Sequence, residues 1–107
     1  MPYSATHLSL EPTRPSIDSL PGPVVLEFGT PWCGHCQGAQ PLIRQLLSEQ
    51  AQVQHLKVED GPGRPLGRSY RVKLWPTLVF LKNGQELARV VRPTGLQSLQ
   101  DALALIG

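Results

Sequence analysis

What this chain has little of narrows the possibilities first. It holds only two cysteines, Cys33 and Cys36, three positions apart. A pair that close cannot staple a fold, which excludes the disulfide framework of small secreted domains. No apolar run approaches the roughly 18 residues a membrane helix needs, so membrane insertion is not expected. Charge of one sign is not in surplus: ten Lys and Arg against eight Asp and Glu give a net +2 and a pI near 8.8. The basic residues form no dense run with interleaved aromatics, so nucleic acid is not expected as a partner. Met1 to His7 lack the charged and apolar regions of a signal peptide. A cytoplasmic location is therefore expected, and a periplasmic one only if a leader has been removed.

Proline and glycine, by contrast, are plentiful, with eleven and ten residues that punctuate short elements. The length of 107 residues suits one domain, 1–107, around one core. Val24 to Phe28 is nearly continuous and β-branched, the pattern of a strand buried on both faces, interrupted only by Glu27. Leu42, Ile43, Leu46 and Leu47 give an apolar face to a helix expected from about Gly34 to Gln50, with a kink at Pro41. Val53–Glu59 reads as a second strand, Asp60–Pro65 as a turn cluster and Leu66–Tyr70 as a short helix. Pro76–Leu81 and Glu86–Val91 read as strands of a hairpin closed at Asn83-Gly84. Leu96, Leu99, Ala102, Leu103 and Ile106 mark a closing amphipathic helix. Ahead of all these, His7–Leu10 is expected as an edge strand, followed by an irregular or helical proline-rich piece. The sum is an α/β fold with a mixed sheet covered by helices.

The cysteines stand directly after the first strand, at the first turn of the helix. Side chains three apart lie on one helical face, with Cβ atoms about 5–6 Å apart, close to disulfide range. At the helix N-terminus, free N–H groups and the macrodipole favour an anion, so the Cys33 thiol is expected to ionise below its free value of about 8.5. Cys33 is thus the expected nucleophile, and Cys36, one turn further in, the resolving thiol. His35 adds a titrating positive charge beside the thiolate, which stabilises the reduced form and raises the reduction potential.

The segment Phe28-Gly29-Thr30-Pro31-Trp32-Cys33-Gly34-His35-Cys36 resembles the active-site segment of thioredoxins and protein disulfide isomerases. Cys-Gly-His-Cys is the isomerase version; typical thioredoxins carry proline in place of His35. Further matches follow in order: Glu27 six residues before the nucleophile, Pro41 in the helix, Trp75-Pro76-Thr77 opening a strand and Lys82-Asn83-Gly84 in a hairpin. The resemblance runs from about Val24 to the C-terminus and implies a thioredoxin fold. It also implies a cis bond before Pro76, which faces the cysteine pair, with the backbone of its neighbour pairing with substrate. Glu27 becomes a buried carboxylate, its pKa raised by desolvation, that takes the Cys36 proton. A lysine on the next strand often accompanies this acid. Here His55 holds that place by its spacing from Glu59, with Lys57 two residues on, and the sequence leaves open which approaches Glu27. Trp32 reads equally as a lid beside the sulfurs or as packing. Two departures bear on substrate choice: Trp75 replaces a smaller β-branched residue, and Val91-Arg92-Pro93 replaces a glycine turn beside the groove. With Arg71 and Lys73, Arg92 makes the rim basic.

Competing readings of the pair are weaker. Zinc would need two more ligands, and His7, His35 and His55 supply no second knuckle. Haem attachment would need histidine where Gln37 stands. An inert buried pair fits poorly with the flanking Pro31 and Trp32. The expectation is therefore a monomeric protein-disulfide reductase that uses no cofactor or metal. Its partners would be disulfide-bearing proteins and a thioredoxin-reductase-type electron donor. The alternatives are an oxidant or isomerase in an oxidising compartment and a non-catalytic binding module.

Overall fold

The computed structural model describes residues 3–107; Met1 and Pro2, the start of the segment read for a leader, lie outside the described residues. Eight elements follow in order: α1 (Arg14–Asp18), β1 (Pro23–Gly29), α2 (Gly34–Leu47), β2 (Gln54–Glu59), α3 (Pro65–Ser69), β3 (Thr77–Lys82), β4 (Gln85–Val91) and α4 (Leu96–Ile106). The strands form one sheet in the order β2-β1-β3-β4. Strand β1 pairs in parallel with β2 and antiparallel with β3, and β3 pairs antiparallel with β4. This is the expected mixed sheet.

The continuous apolar run of β1 follows from its central place, because both faces are covered. On one face Val25 and Phe80 pack with Ala39, Ile43 and Leu47 of α2 and Leu99, Ala102 and Ile106 of α4. On the other, Val24, Leu26 and Phe28 pack with Ile17 of α1 and with Leu66 and Tyr70. Alternation along the strand puts Glu27 on the same side as Val25, beneath α2. The hairpin turns at Asn83 and Gly84, both at positive φ (51° and 80°), the geometry an Asn-Gly pair takes without strain.

Two expectations need correction. Helix α2 stops at Leu47, with Ser48 as its C-cap, rather than at Gln50. His7–Leu10 forms no strand; a single bond from the Leu8 N–H to the Lys57 carbonyl (2.8 Å) ties this arm to the free edge of β2. Leu10 is 83% exposed, so no core holds a strand there, and Pro12, which has no N–H, ends any ladder. The proline-rich piece that follows is helical in part: α1 is capped by the Thr13 side chain, which accepts the Ser16 N–H.

Candidate active site

The end of β1 hands the chain directly to α2. Cys33 is the N-cap of that 14-residue helix, and its Sγ accepts the Cys36 N–H at 3.2 Å. Both cysteines are free thiols, Cys33 8% and Cys36 4% exposed. Gly29 makes room for the second sulfur, since a Cβ there would stand 2.5 Å from Cys36 Sγ. Desolvation, the hydrogen bond with Cys33 and the nearby charges of Cys33 and Glu27 push the Cys36 thiol up to about 12, against a lowering contribution from the Thr30 backbone N–H. Cys36 is thereby held protonated until it is needed.

Beneath the helix, Glu27 is 2% exposed and receives a donor on each oxygen. His55 Nε2 lies 2.8 Å from Oε1, and Gln40 Nε2 donates to Oε2 at 2.8 Å. His55 therefore takes the place beside the acid that the sequence left open between it and Lys57. The Ser4 N–H donates to His55 Nδ1 (2.8 Å), so Nδ1 carries no proton and Nε2–H donates to the carboxylate. Lys57 Nζ instead donates to Gln40 Oε1 (3.1 Å) and to the Ala5 carbonyl (3.3 Å). Gln40 is saturated: its amide also donates to the Cys36 carbonyl (2.8 Å), and its oxygen accepts from the Tyr3 hydroxyl (2.7 Å). Burial alone would raise the Glu27 pKa, the expected direction. The hydrogen bonds from His55 and Gln40 and the charge of Lys57 together outweigh it and hold the carboxyl below the usual range. The expected raised pKa is thus corrected to a lowered one.

Around the sulfurs, the Trp75–Pro76 peptide is cis, as the resemblance implied. Trp32 (71% exposed) meets Trp75 edge to face, ring centroids 5.7 Å apart, so it is an exposed ledge rather than core packing. Trp75 Nε1 donates to Asp60 Oδ2 (2.8 Å). Arg92 sits at φ 49°; its N–H donates to the Pro76 carbonyl (3.0 Å) and its Nε to the Trp75 carbonyl (2.9 Å). Val91, half-exposed, pairs with Thr77 in the register of β4 and β3. His35 is exposed and, with Gly34, Ala39, Arg92 and Pro93, lines a cleft beside the cysteine turn. Of the residues singled out from the sequence, Glu27 and His55 thus meet beneath the cysteine helix, and Trp32 and Trp75 meet beside Cys33. His35 and Arg92 line the adjoining cleft, whereas Arg71 and Lys73 line a separate one. Sequence reasoning missed Gln40, Tyr3, Ser4 and Asp60. Only Gln40 offered a signal, a polar side chain one turn after Cys36 on the face toward Glu27.

This geometry is matched by comparison with known proteins. A thioredoxin family model matches residues 13–104. The chain belongs to the thioredoxin family. Its fold is similar to thioredoxin 2 from Pseudomonas aeruginosa in its reduced form, with 56% identity, a TM-score of 0.83 and 96% of each chain covered. It is 32% identical to a thioredoxin-like protein of Synechocystis over 80% of this chain and 77% of that one. It is also 32% identical to thioredoxin H2-1 of Oryza sativa over 64% of this chain, spanning about half (49%) of that protein's length. Within the family, the two cysteines fit the Cys-x-x-Cys active site of a disulfide oxidoreductase. Among the described residues, no helix is long and apolar enough to cross a membrane.

Proposed function

We propose that the chain is a protein-disulfide reductase that passes two electrons from its Cys33–Cys36 dithiol to a disulfide in a protein substrate. The observation that carries this reading is the seating of both sulfurs in one helical turn, Cys33 Sγ at the N-cap and Cys36 buried behind it. In the first step the Cys33 thiolate attacks one sulfur of the substrate disulfide. That S–S bond breaks, a mixed disulfide forms, and the other substrate sulfur leaves as a thiolate that takes a proton from solvent. In the second, Cys36 loses its proton and attacks Cys33 Sγ. The Cys33–Cys36 disulfide forms and the remaining substrate sulfur leaves.

Glu27 receives the Cys36 proton. It is an ionised carboxylate buried beneath α2 and tied through Gln40 to the Cys36 carbonyl. His35 tunes the stability of the Cys33 thiolate. Trp32, Trp75, Pro76, Val91 and Arg92 form the substrate edge. Neither step calls for a metal or an organic cofactor. A donor of the thioredoxin-reductase type restores the dithiol, which suits the reducing cytoplasm.

The test is a redox-buffer titration followed by tryptophan fluorescence, since Trp32 adjoins Cys33. A midpoint near about −270 mV supports the reductase, and one near about −180 mV supports the oxidant or isomerase favoured by His35. Loss of any reversible transition overturns both.

A further inference from the structure

Four of the ten Lys and Arg of this chain fall between positions 64 and 73, and no carboxylate occurs from Gly61 to Pro76. The fold turns that stretch into one side of a surface cleft of about 560 Å³, where Arg64, Arg68, Arg71 and Lys73 face a single acid, Asp60. Outside the cleft, Arg14 pairs with Asp18 at 2.9 Å and Arg89 with Glu86 at both carboxylate oxygens, Arg44 lies over the Tyr3 ring and Arg92 donates to the Trp75 carbonyl. In the cleft, only Arg64 finds a partner, Glu59, at a loose 3.9 Å. Among the described residues, Arg68, Arg71 and Lys73 make no ion pair.

Two further observations connect the cleft with the redox site. Asp60 accepts the indole N–H of Trp75, and Trp75 meets Trp32, the residue before Cys33. A polypeptide whose disulfide is engaged by Cys33 and which continues over Trp75 therefore arrives at the cations. Arg71, moreover, has a left-handed backbone (φ 57°) where a helix end ordinarily takes glycine or asparagine. Among the described residues, the other non-glycine positions of this kind are Arg92 and the hairpin asparagine, Asn83. Arginine at such a position has no backbone advantage over glycine.

We propose that the Arg64, Arg68, Arg71 and Lys73 cleft is a docking site for an acidic polypeptide segment flanking the disulfide of the substrate. This rests on the reductase reading and adds a substrate class to it. Carboxylates of that segment take the place of the missing counter-ions, and the field of the cleft raises the encounter rate with acidic clients.

The experiment uses the whole chain and two disulfide-closed peptides that differ only in a flank of glutamates or of glutamines. The rate constant for reduction of each is measured from about 0.01 M to about 1 M salt, over which the screening length falls from about 30 to about 3 Å. The expected result is a preference for the acidic peptide on the order of tenfold at low salt, vanishing at high salt. In the variant Arg68→Gln, Arg71→Gly, Lys73→Gln, that preference disappears at all salt concentrations. Glycine at position 71 suits the left-handed backbone, so the variant folds without added strain. Equal rates for both peptides in the parent chain overturn the docking proposal and leave the reductase reading intact. Reduction of neither peptide overturns the reductase reading itself. A single-stranded oligonucleotide that binds the cleft more tightly than the acidic flank overturns the proposal in favour of a nucleic-acid partner.

Discussion

Replacing His55 with leucine tests how the buried acid is held, because it removes the Nε2–H donor at 2.8 Å while roughly keeping the side-chain volume. A hydrogen bond to a charged group contributes about 1.5–3 kcal/mol, and that loss is expected at neutral pH. For a domain of this size, it lowers Tm by on the order of 10 °C. The diagnostic feature is the sign of the pH dependence. In the parent chain Glu27 titrates below its unfolded value of about 4.5, so its contribution to stability is full above that value and is lost as pH falls through the folded pKa. In His55→Leu, burial, the largest influence on this carboxyl, is opposed only by Gln40 and Lys57. The folded pKa then rises above the unfolded one. Stability is full below the unfolded value and is lost as pH increases through the folded one. Thermal melts from about pH 4 to about pH 8 should therefore show the variant falling further below the parent as pH increases. In a Glu27→Gln background the His55→Leu substitution should produce no such divergence, which isolates Glu27 from other titrating groups. Parallel Tm curves for parent and His55→Leu would refute the assignment of His55 as the partner that keeps Glu27 ionised.

Two shorter predictions concern the cysteine turn. Gly29→Ala puts a methyl group 2.5 Å from Cys36 Sγ, so it should cost about 1–3 kcal/mol in chemical denaturation, with no comparable loss for Gly38→Ala, where no atom lies within 4 Å. With its thiol pushed up to about 12, Cys36 should stay unmodified by iodoacetamide at pH 8 in the folded reduced chain. One carboxamidomethyl group, on Cys33, is expected by mass spectrometry, and equal labelling of both thiols would contradict the burial of Cys36.

Much of this arrangement is legible in the sequence because it depends on local pattern. The strand before the cysteines, the helix after them and the Asn-Gly turn each carry a periodicity or a backbone preference confined to a few residues. The nucleophile and resolving thiol follow from three-residue spacing at a helix start. What the pattern does not encode is where the N-terminal arm lies. Leu8 and Leu10 alternate with polar residues as a strand would, yet no apolar surface receives them, and a single backbone bond replaces the expected ladder. The sign of the Glu27 shift was hidden for a related reason. It depends on three donors or charges from α2 and β2 arriving at one carboxylate, one of them fixed by the backbone of Ser4, and none of these separations is written in sequence spacing.

The same cluster explains how a buried thiol with so high a pKa is useful as a resolving group. Two of the influences that hold the Cys36 proton come from Cys33, through the hydrogen bond between them and through its charge. Both disappear when Cys33 enters a mixed disulfide, because its sulfur is then neutral and bonded to substrate. The load on Cys36 therefore drops at the moment its attack is required. Glu27 is already ionised at that point, since His55 and Gln40 occupy both of its oxygens with donors. For Glu27 to take the proton, one of those donors must yield. Gln40 is the one placed to do so, because the same amide nitrogen also donates to the Cys36 carbonyl. A Gln40→Leu variant frees that oxygen in advance, so its mixed disulfide should be shorter-lived than the parent's, seen as less covalent adduct in acid-quenched samples, while first-step attack by Cys33 proceeds at the parent rate. Unchanged adduct lifetimes would show that the Cys36 proton leaves by a route that bypasses Gln40.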